Sequence, residues 1–265
     1  MLLSHSGLGM HLVQGEFVRG LGMSDLGWDV EGWQVPERPP HVEIEGSYAR
    51  LEPLTLSRHA SSLWDAFALD AEGHVWDYLP SGPFQSLNQF YKMAKDLEPS
   101  TDPLFFAVRD LETDQLGGFL SYLRIAPEAG SIEVGYITFA PQLQNTKAGT
   151  EAIILMARRA FALGYRRFEW KCNALNLASR RAAERYGFSY EGIFRQAAVV
   201  KGRNRDTAWF AMIDKEWDQI DAAYSRWLEP RNFVSTGRQI HSLRDMTAPL
   251  LVARDPMVLS DQAEP

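Results

Sequence analysis

Only one cysteine, Cys172, occurs in the 265 residues, which excludes an internal disulfide framework and fits a reducing compartment. Nothing in the chain approaches the run of about 18 apolar residues that crosses a bilayer. Leu2 and Leu3 meet His5, Gly7, Gly9 and His11 before any sustained apolar stretch. A secretory signal is therefore not expected, nor a membrane partner, and the expected location is cytoplasmic. A basic surplus is also missing: 27 Lys and Arg face 34 Asp and Glu, for a formal net charge of −7. Domains that hold nucleic acid carry the opposite balance, so no nucleic-acid partner is expected. The glycine fingerprints of dinucleotide and nucleoside triphosphate sites are absent, as is the G-x-S-x-G of hydrolases. Six histidines are scattered, without H-E-x-x-H or paired cysteines, and no metal is expected.

What is present is ample material for a core, at 45% hydrophobic and 12% aromatic residues. Residues 1–44, with many glycines, Trp28, Trp33 and the turn-rich Pro36 to Pro40, read as an N-terminal extension. Ser47 to Pro53 alternates as a first strand, and helical spacing follows over Leu56 to Ala68, where His59 lies, and over Leu87 to Leu97. Leu104 to Asp110 and Gln115 to Ile125 read as a hairpin. Later come a strand over Arg167 to Cys172, a helix over Ala178 to Tyr186, and strands over Tyr190 to Val200 and Thr207 to Ile213. Strands alternating with helices in the middle, with hairpins at both ends, predict a mixed α/β domain over 45–218. Residues 219–265 read as a C-terminal helix and, past Arg231, a loose arm.

The densest signal lies in the middle. An apolar strand, I-E-V-G-Y-I-T-F-A-P from Ile132, runs into a polar loop, Q-L-Q-N-T-K-A-G, and then into an amphipathic helix from Thr150. A helix begun this way offers unpaired N–H groups and the positive end of its dipole to whatever lies above the loop. A diphosphate suits such a site. Cys172 closes an apolar strand and reads as a buried packing thiol.

Pro141 with Gln144-Asn145-Thr146-Lys147-Ala148-Gly149, and N-L-A-S-R-R-A-A-E-R-Y-G-F from Asn176 to Phe188, resemble the two motifs of the GNAT N-acetyltransferases. The branch they are most similar to is that of the ribosomal-protein N-terminal acetyltransferases. The resemblance implies a GNAT-type α/β fold: a mixed, mostly antiparallel central sheet flanked by helices, with a splayed strand pair that binds acyl-CoA. It implies acetyl-CoA as co-substrate and a primary amine, of a small molecule or a protein N-terminus, as acceptor. Pantetheine is expected along Ile137, Thr138 and Phe139, and the diphosphate on Gln144, Asn145, Thr146, Lys147, Ala148, Gly149 and Thr150. Asn176 is expected on the pantetheine amides.

Lys147 departs from the pattern, standing where the first glycine belongs. It is strained there if the position needs a positive φ; otherwise its ammonium is free for a phosphate. The tyrosine that serves many members as acid falls at Ala183 here. The resemblance assigns the leaving thiolate to Ser179 instead, beside the plainer reading that Ser179 caps its helix. Glu133, four residues before Ile137 and so on its face at period two, is the candidate general base, against a plainer role as a salt-bridged strand residue. Arg180 and Arg181 read as a solvated helix face, with CoA phosphates as the alternative. The run from Lys201 to Met212 reads as a hairpin with Asn204 in its turn, and its basic residues as solvated or lining the acceptor entrance. Trp64, Trp76, Tyr78 and Phe84 are either acceptor wall or core. The rival to an enzyme is a GNAT-fold module that holds acyl-CoA without turnover. The quaternary state stays open between monomer and homodimer.

Overall fold

The computed structural model describes residues 27–263. Residues 1–26, on which the leader reading and most of the glycine-rich extension fall, and residues 264–265 lie outside the described residues. Contacts divide the chain into a unit ending at Gln34 and a second from Val35 to Pro265. Of the first, residues 27–34 are described, with a turn at Glu31 and Gly32. All that follows concerns the second. Within it, residues 35–42, read from sequence as extension, make fixed contacts: His41 Nε2 lies 2.7 Å from the Phe105 carbonyl oxygen, and Pro36 and Pro39 are buried.

The apolar alternation becomes a single sheet of eight strands: β1 (Ile44–Glu45), β2 (Ala49–Pro53), β3 (Leu104–Asp110), β4 (Gln115–Ala126), β5 (Ser131–Phe139), β6 (Arg167–Asn173), β7 (Ser189–Val200) and β8 (Arg203–Ile213). Their order is β1-β2-β3-β4-β5-β6-β8-β7. Every pair is antiparallel except β5 with β6. A parallel pair needs a crossover, and the helix α3 (Lys147–Ala162) supplies it.

The helices α1 (Leu56–Phe67) and α2 (Leu87–Leu97) cover one face of the sheet's first half, over Phe105, Ala107 and Phe119. The other face carries the larger core, under α3, α4 (Leu177–Arg185) and α5 (Asp214–Leu228). Because α3 lies between sheet and α5, it is apolar nearly all round, with Ala152, Ile153, Met156 and Ala157 at 0% exposure. Its one buried carboxylate, Glu151, accepts hydrogen bonds from the N–H groups of Ser47, Tyr48 and Ala49 at 2.9, 2.5 and 2.7 Å, and so ties the turn between β1 and β2 to the helix.

Three expectations need correction. The arm past Arg231 is not loose: it folds into α6 (Leu243–Thr247) and α7 (Pro256–Ala263), with Leu243 and Val258 buried. Each such side chain contributes about 1.5–3 kcal/mol. Its anchor is Asp255, which takes a bidentate bond from Arg180 at 2.6 Å with both groups fully buried. The period-two placement of Glu133 also fails. Tyr136 has φ 50 and forms a bulge against β4, and one extra residue moves everything after it to the other face. Ile132 and Val134 point to the larger core and so do Ile137 and Phe139, whereas Tyr136 packs in the smaller one. Glu133 therefore faces away from Ile137. Finally, the turn between β7 and β8 is Lys201-Gly202, and Asn204 sits in β8.

Candidate active site

Strands β5 and β6 pair only from Ser131–Arg167 to Val134–Trp170 and then part. From Gly135 onward the β6-facing edge of β5 has no strand partner among the described residues, and the gap opens into a cleft of about 960 Å³. The bulge at Tyr136 falls where the two strands part, and a bulge bends the strand that carries it.

The start of α3 closes one side. Thr146 is its N-cap: its Oγ1 accepts from the Gly149 N–H at 2.9 Å and donates to the Leu143 carbonyl at 2.7 Å. The helix thus begins at Lys147, three residues before Thr150, because the cap lies inside the loop. A side chain at Gly149 would put Cβ 2.4 Å from the Leu143 carbonyl oxygen, so only glycine lets loop and helix close on each other. The left-handed residue of this loop is Asn145, at φ 59. Lys147 has ordinary helical geometry, which removes the expected strain. Its ammonium is not free for a phosphate either: it pairs with Glu112 and lies 4.6 Å from the Tyr48 ring centre.

The opposite wall is α4. Asn176, not Ser179, caps it, accepting from the Ser179 N–H at 3.0 Å through Oδ1. The Asn176 side-chain N–H groups remain for a ligand. Ser179 Oγ accepts from the Trp170 indole N–H at 3.0 Å and is also hydrogen-bonded to the Cys172 thiol. Beside it, burial pushes the Cys172 thiol up to about 11, so the sulfur stays protonated and inert.

At the floor, Glu133 is buried between two cations. Arg124 Nη1 donates to both of its oxygens at 2.8 Å, and Lys171 Nζ lies 2.9 Å from Oε2. Burial raises the Glu133 pKa above the ordinary glutamate value, and the pull of Lys171 and Arg124 does not cancel it. The pairing continues across the sheet: Lys171 also meets Glu169 at 2.7 Å, Glu169 meets Arg167 at 2.6 Å, and Arg167 meets Glu191. Lys171 lies 3.8 Å from the Trp209 ring centre as well.

Residues 50–189 match the acetyltransferase (GNAT) domain family. The chain belongs to the GNAT acetyltransferases. It is similar to a GCN5-related N-acetyltransferase from Brucella melitensis, with 42% identity over 82% of this chain and 99% of that one and a TM-score of 0.80. A probable acetyltransferase of the same family from Chromobacterium violaceum is 39% identical over 74% of this chain and 98% of that one, TM-score 0.68. The Salmonella typhimurium enzyme that modifies the N-terminal serine of ribosomal protein L7/L12 shares the fold, at 21% identity over 64% and 98% of the chains and a TM-score of 0.55. No curated protein matches this acetyltransferase.

Of the site residues read from sequence, Glu133, Ile137, Phe139, Gln144, Asn145, Gly149, Thr150, Asn176 and Ser179 line the cleft of the acetyltransferase. Thr138 does not: it is buried and its Oγ1 donates to the Tyr136 carbonyl at 3.0 Å. Thr146, Lys147 and Ala148 are occupied in starting the helix. Arg180 contradicts the solvated-face reading, being buried on Asp255, while Arg181 pairs with Asp261. Among the four aromatic candidates, Trp76 is core with Trp64 and Phe84 packed on it. Tyr78 alone reaches the cleft, its hydroxyl 3.3 Å from the Leu175 carbonyl that it donates to.

Missed from sequence were Arg124, Lys171 and Arg185, all of which line the cleft, whereas Arg205 lines it as one of the basic residues of the Lys201–Met212 run. Lys171 was findable: Arg167, Glu169 and Lys171 recur at period two, which marks a charged strand face. Among the described residues no group of three or more His, Cys, Asp or Glu could hold a metal ion, and no helix is long and apolar enough to cross a membrane.

Proposed function

We propose that the protein is an acetyl-CoA-dependent N-acetyltransferase that passes the acetyl group to a primary amine of a small molecule or a protein N-terminus by direct attack on the thioester. The observation that carries this reading is the placement, in one cleft, of an unpaired strand edge, a capped helix start and the Ser179 hydroxyl. The residues fit the ligand. The β5 edge from Gly135 to Phe139 can accept pantetheine as a further strand would, and the start of α3 offers amides and dipole to the diphosphate. Acetyl-CoA supplies a thioester carbonyl for the amine to attack.

This chain's own residues then have separate tasks. Asn176 orients the pantetheine amides. Ser179 donates a hydrogen bond where the thiolate leaves, a role left vacant by Ala183. Glu133, with its raised pKa and its place in the cleft lining, takes or relays the amine proton. Lys171 and Arg124 hold its carboxylate in place. A thiol-release assay with acetyl-CoA and a panel of amines tests the reading. Turnover that falls in Ser179→Ala and Glu133→Gln supports it. Tight CoA binding with no thiol released for any amine leaves instead a module that binds acyl-CoA.

A further inference from the structure

Helix α4 carries three arginines, Arg180, Arg181 and Arg185, and the C-terminal segment treats them differently. Asp255 takes Arg180 and Asp261 takes Arg181. A third pair, Arg254 with Glu184 at 3.0 Å, fastens the same helix one turn further on. Arg185 meets no carboxylate among the described residues. Its Nη2 donates to Thr150 Oγ1 at 3.1 Å, on the first turns of α3, and its guanidinium lies 5.3 Å and 5.5 Å from the ring centres of Tyr186 and Trp227. Two aromatic rings and a hydroxyl thus hold, in the lining of the cleft, a cation with no carboxylate partner among the described residues.

The C-terminal segment adds a second one there. Thr247 Oγ1 donates to the Arg185 carbonyl at 3.0 Å, which sets α6 on the end of α4. Arg244 lies three residues before Thr247, on the same side of that short helix. It lines the same cleft as Arg185 and Thr150, is half-buried, and also meets no carboxylate among the described residues. In a chain of formal charge −7, a segment that neutralises two arginines of α4 yet brings a fresh arginine to the third has built a site for an anion.

We propose that Arg185 and Arg244 form a phosphate site of their own, beyond the helix start that takes the diphosphate, and that it holds the 3′-phosphate of coenzyme A. The inference rests on the acyl-CoA reading above and deepens it by adding discrimination between CoA and its 3′-dephospho form. Arg244 lies outside residues 50–189, the span of the family match, so this part of the site comes from the C-terminal segment. The diphosphate on α3 and the hydroxyl of Thr150 place the nucleotide end of the ligand next to Arg185, and its remaining charged group is the 3′-phosphate. Two guanidinium groups suit a phosphate dianion through paired N–H donors.

Calorimetry with CoA, dephospho-CoA and adenosine 3′,5′-bisphosphate on the full chain tests the proposal. Wild-type protein is expected to bind CoA about tenfold or more tightly than dephospho-CoA, as charge-assisted bonds to one phosphate allow. In Arg244→Ala that ratio is expected to fall to about threefold or less, with dephospho-CoA affinity changed less than about twofold. Arg185→Gln, which keeps a donor for Thr150, is expected to act in the same direction, and the bisphosphate to compete with CoA in wild type but not in either variant. Equal affinity of the wild type for CoA and dephospho-CoA overturns the proposal and leaves the acyl-CoA reading standing. So does an Arg244→Ala that weakens both ligands alike. Binding of neither ligand by the wild type removes the acyl-CoA reading itself, and this inference with it.

Discussion

The two walls of the cleft are built by different means. The α3 wall works through backbone: a capped helix start, one glycine and a strand edge, with side chains mainly filling the core behind it. The α4 wall works through side chains, Asn176, Ser179 and Arg185, and these stay in place because the C-terminal segment grips α4 with buried charges. A wall of main chain is set by local sequence and tolerates change around it, whereas a wall of side chains inherits the stability of whatever holds its helix. The site is thus expected to fail in two distinguishable ways.

The largest effect is expected from Asp255→Ala, which leaves the Arg180 guanidinium buried without its partner. Denaturant unfolding should show a loss of about 3–5 kcal/mol, and a loss below about 1 kcal/mol would mean that the C-terminal segment does not hold the α4 wall. Gly149→Ala strikes the other wall. Its Cβ meets the Leu143 carbonyl oxygen at 2.4 Å, so calorimetry should find CoA binding weakened about tenfold or more; unchanged affinity would separate the helix start from the ligand.

Ser179→Ala is expected to lower kcat about tenfold while the KM for acetyl-CoA changes less than about threefold, as the proposed donation to the departing sulfur requires. A rise in KM alone would make Ser179 a binding residue only. The smallest effect concerns pH. Burial raises the Glu133 pKa, and a base must be ionised, so kcat/KM should climb with pH through that raised value. Glu133→Gln should flatten this acid limb. The sign for stability is opposite: the protonated form is favoured in the fold, so what this group contributes is present at low pH and lost as the pH rises through its raised pKa.

Glu52 gives an internal contrast away from the cleft. Burial pushes its carboxyl up, but hydrogen bonds from Arg109 and His59 outweigh that and bring its pKa down to about 2. His59 is neutral here, accepting from the Thr55 N–H through Nδ1 at 3.0 Å and donating to Glu52 through Nε2 at 3.0 Å. Stability from Glu52 is present above the ordinary value near 4.5 and is lost as the pH falls toward about 2. Acid titration of wild type and Glu52→Gln by circular dichroism separates this loss from that at Glu133.

Much of the α3 wall was legible in the chain. Leu87–Leu97 and Leu104–Asp110 stand where their periodicity puts them, and the loop after Pro141 leads into a helix as its polar run requires. The start of α3 was read three residues late because Thr146, as cap, is chemically like its loop neighbours. The α4 wall was harder. Arg180 and Asp255 are 75 positions apart, and neither differs in sequence from a solvated charge. The segment past Arg231 has weak periodicity because its order comes from ion pairs and single buried side chains rather than from an apolar stripe.

What the amino-acid sequence determined by itself was the local chemistry: the strand, the anion-ready helix start, and the positions of Asn176 and Ser179, since capping, glycine and period depend on near neighbours. Only the tertiary structure decided which way Glu133 faces, which arginines are spent and which remain, and that Arg244 and Val258 of the C-terminal segment line the cleft. Those outcomes turn on a one-residue bulge at Tyr136 and on charges brought together from distant parts of the chain, where burial and mutual attraction, not local propensity, set the result.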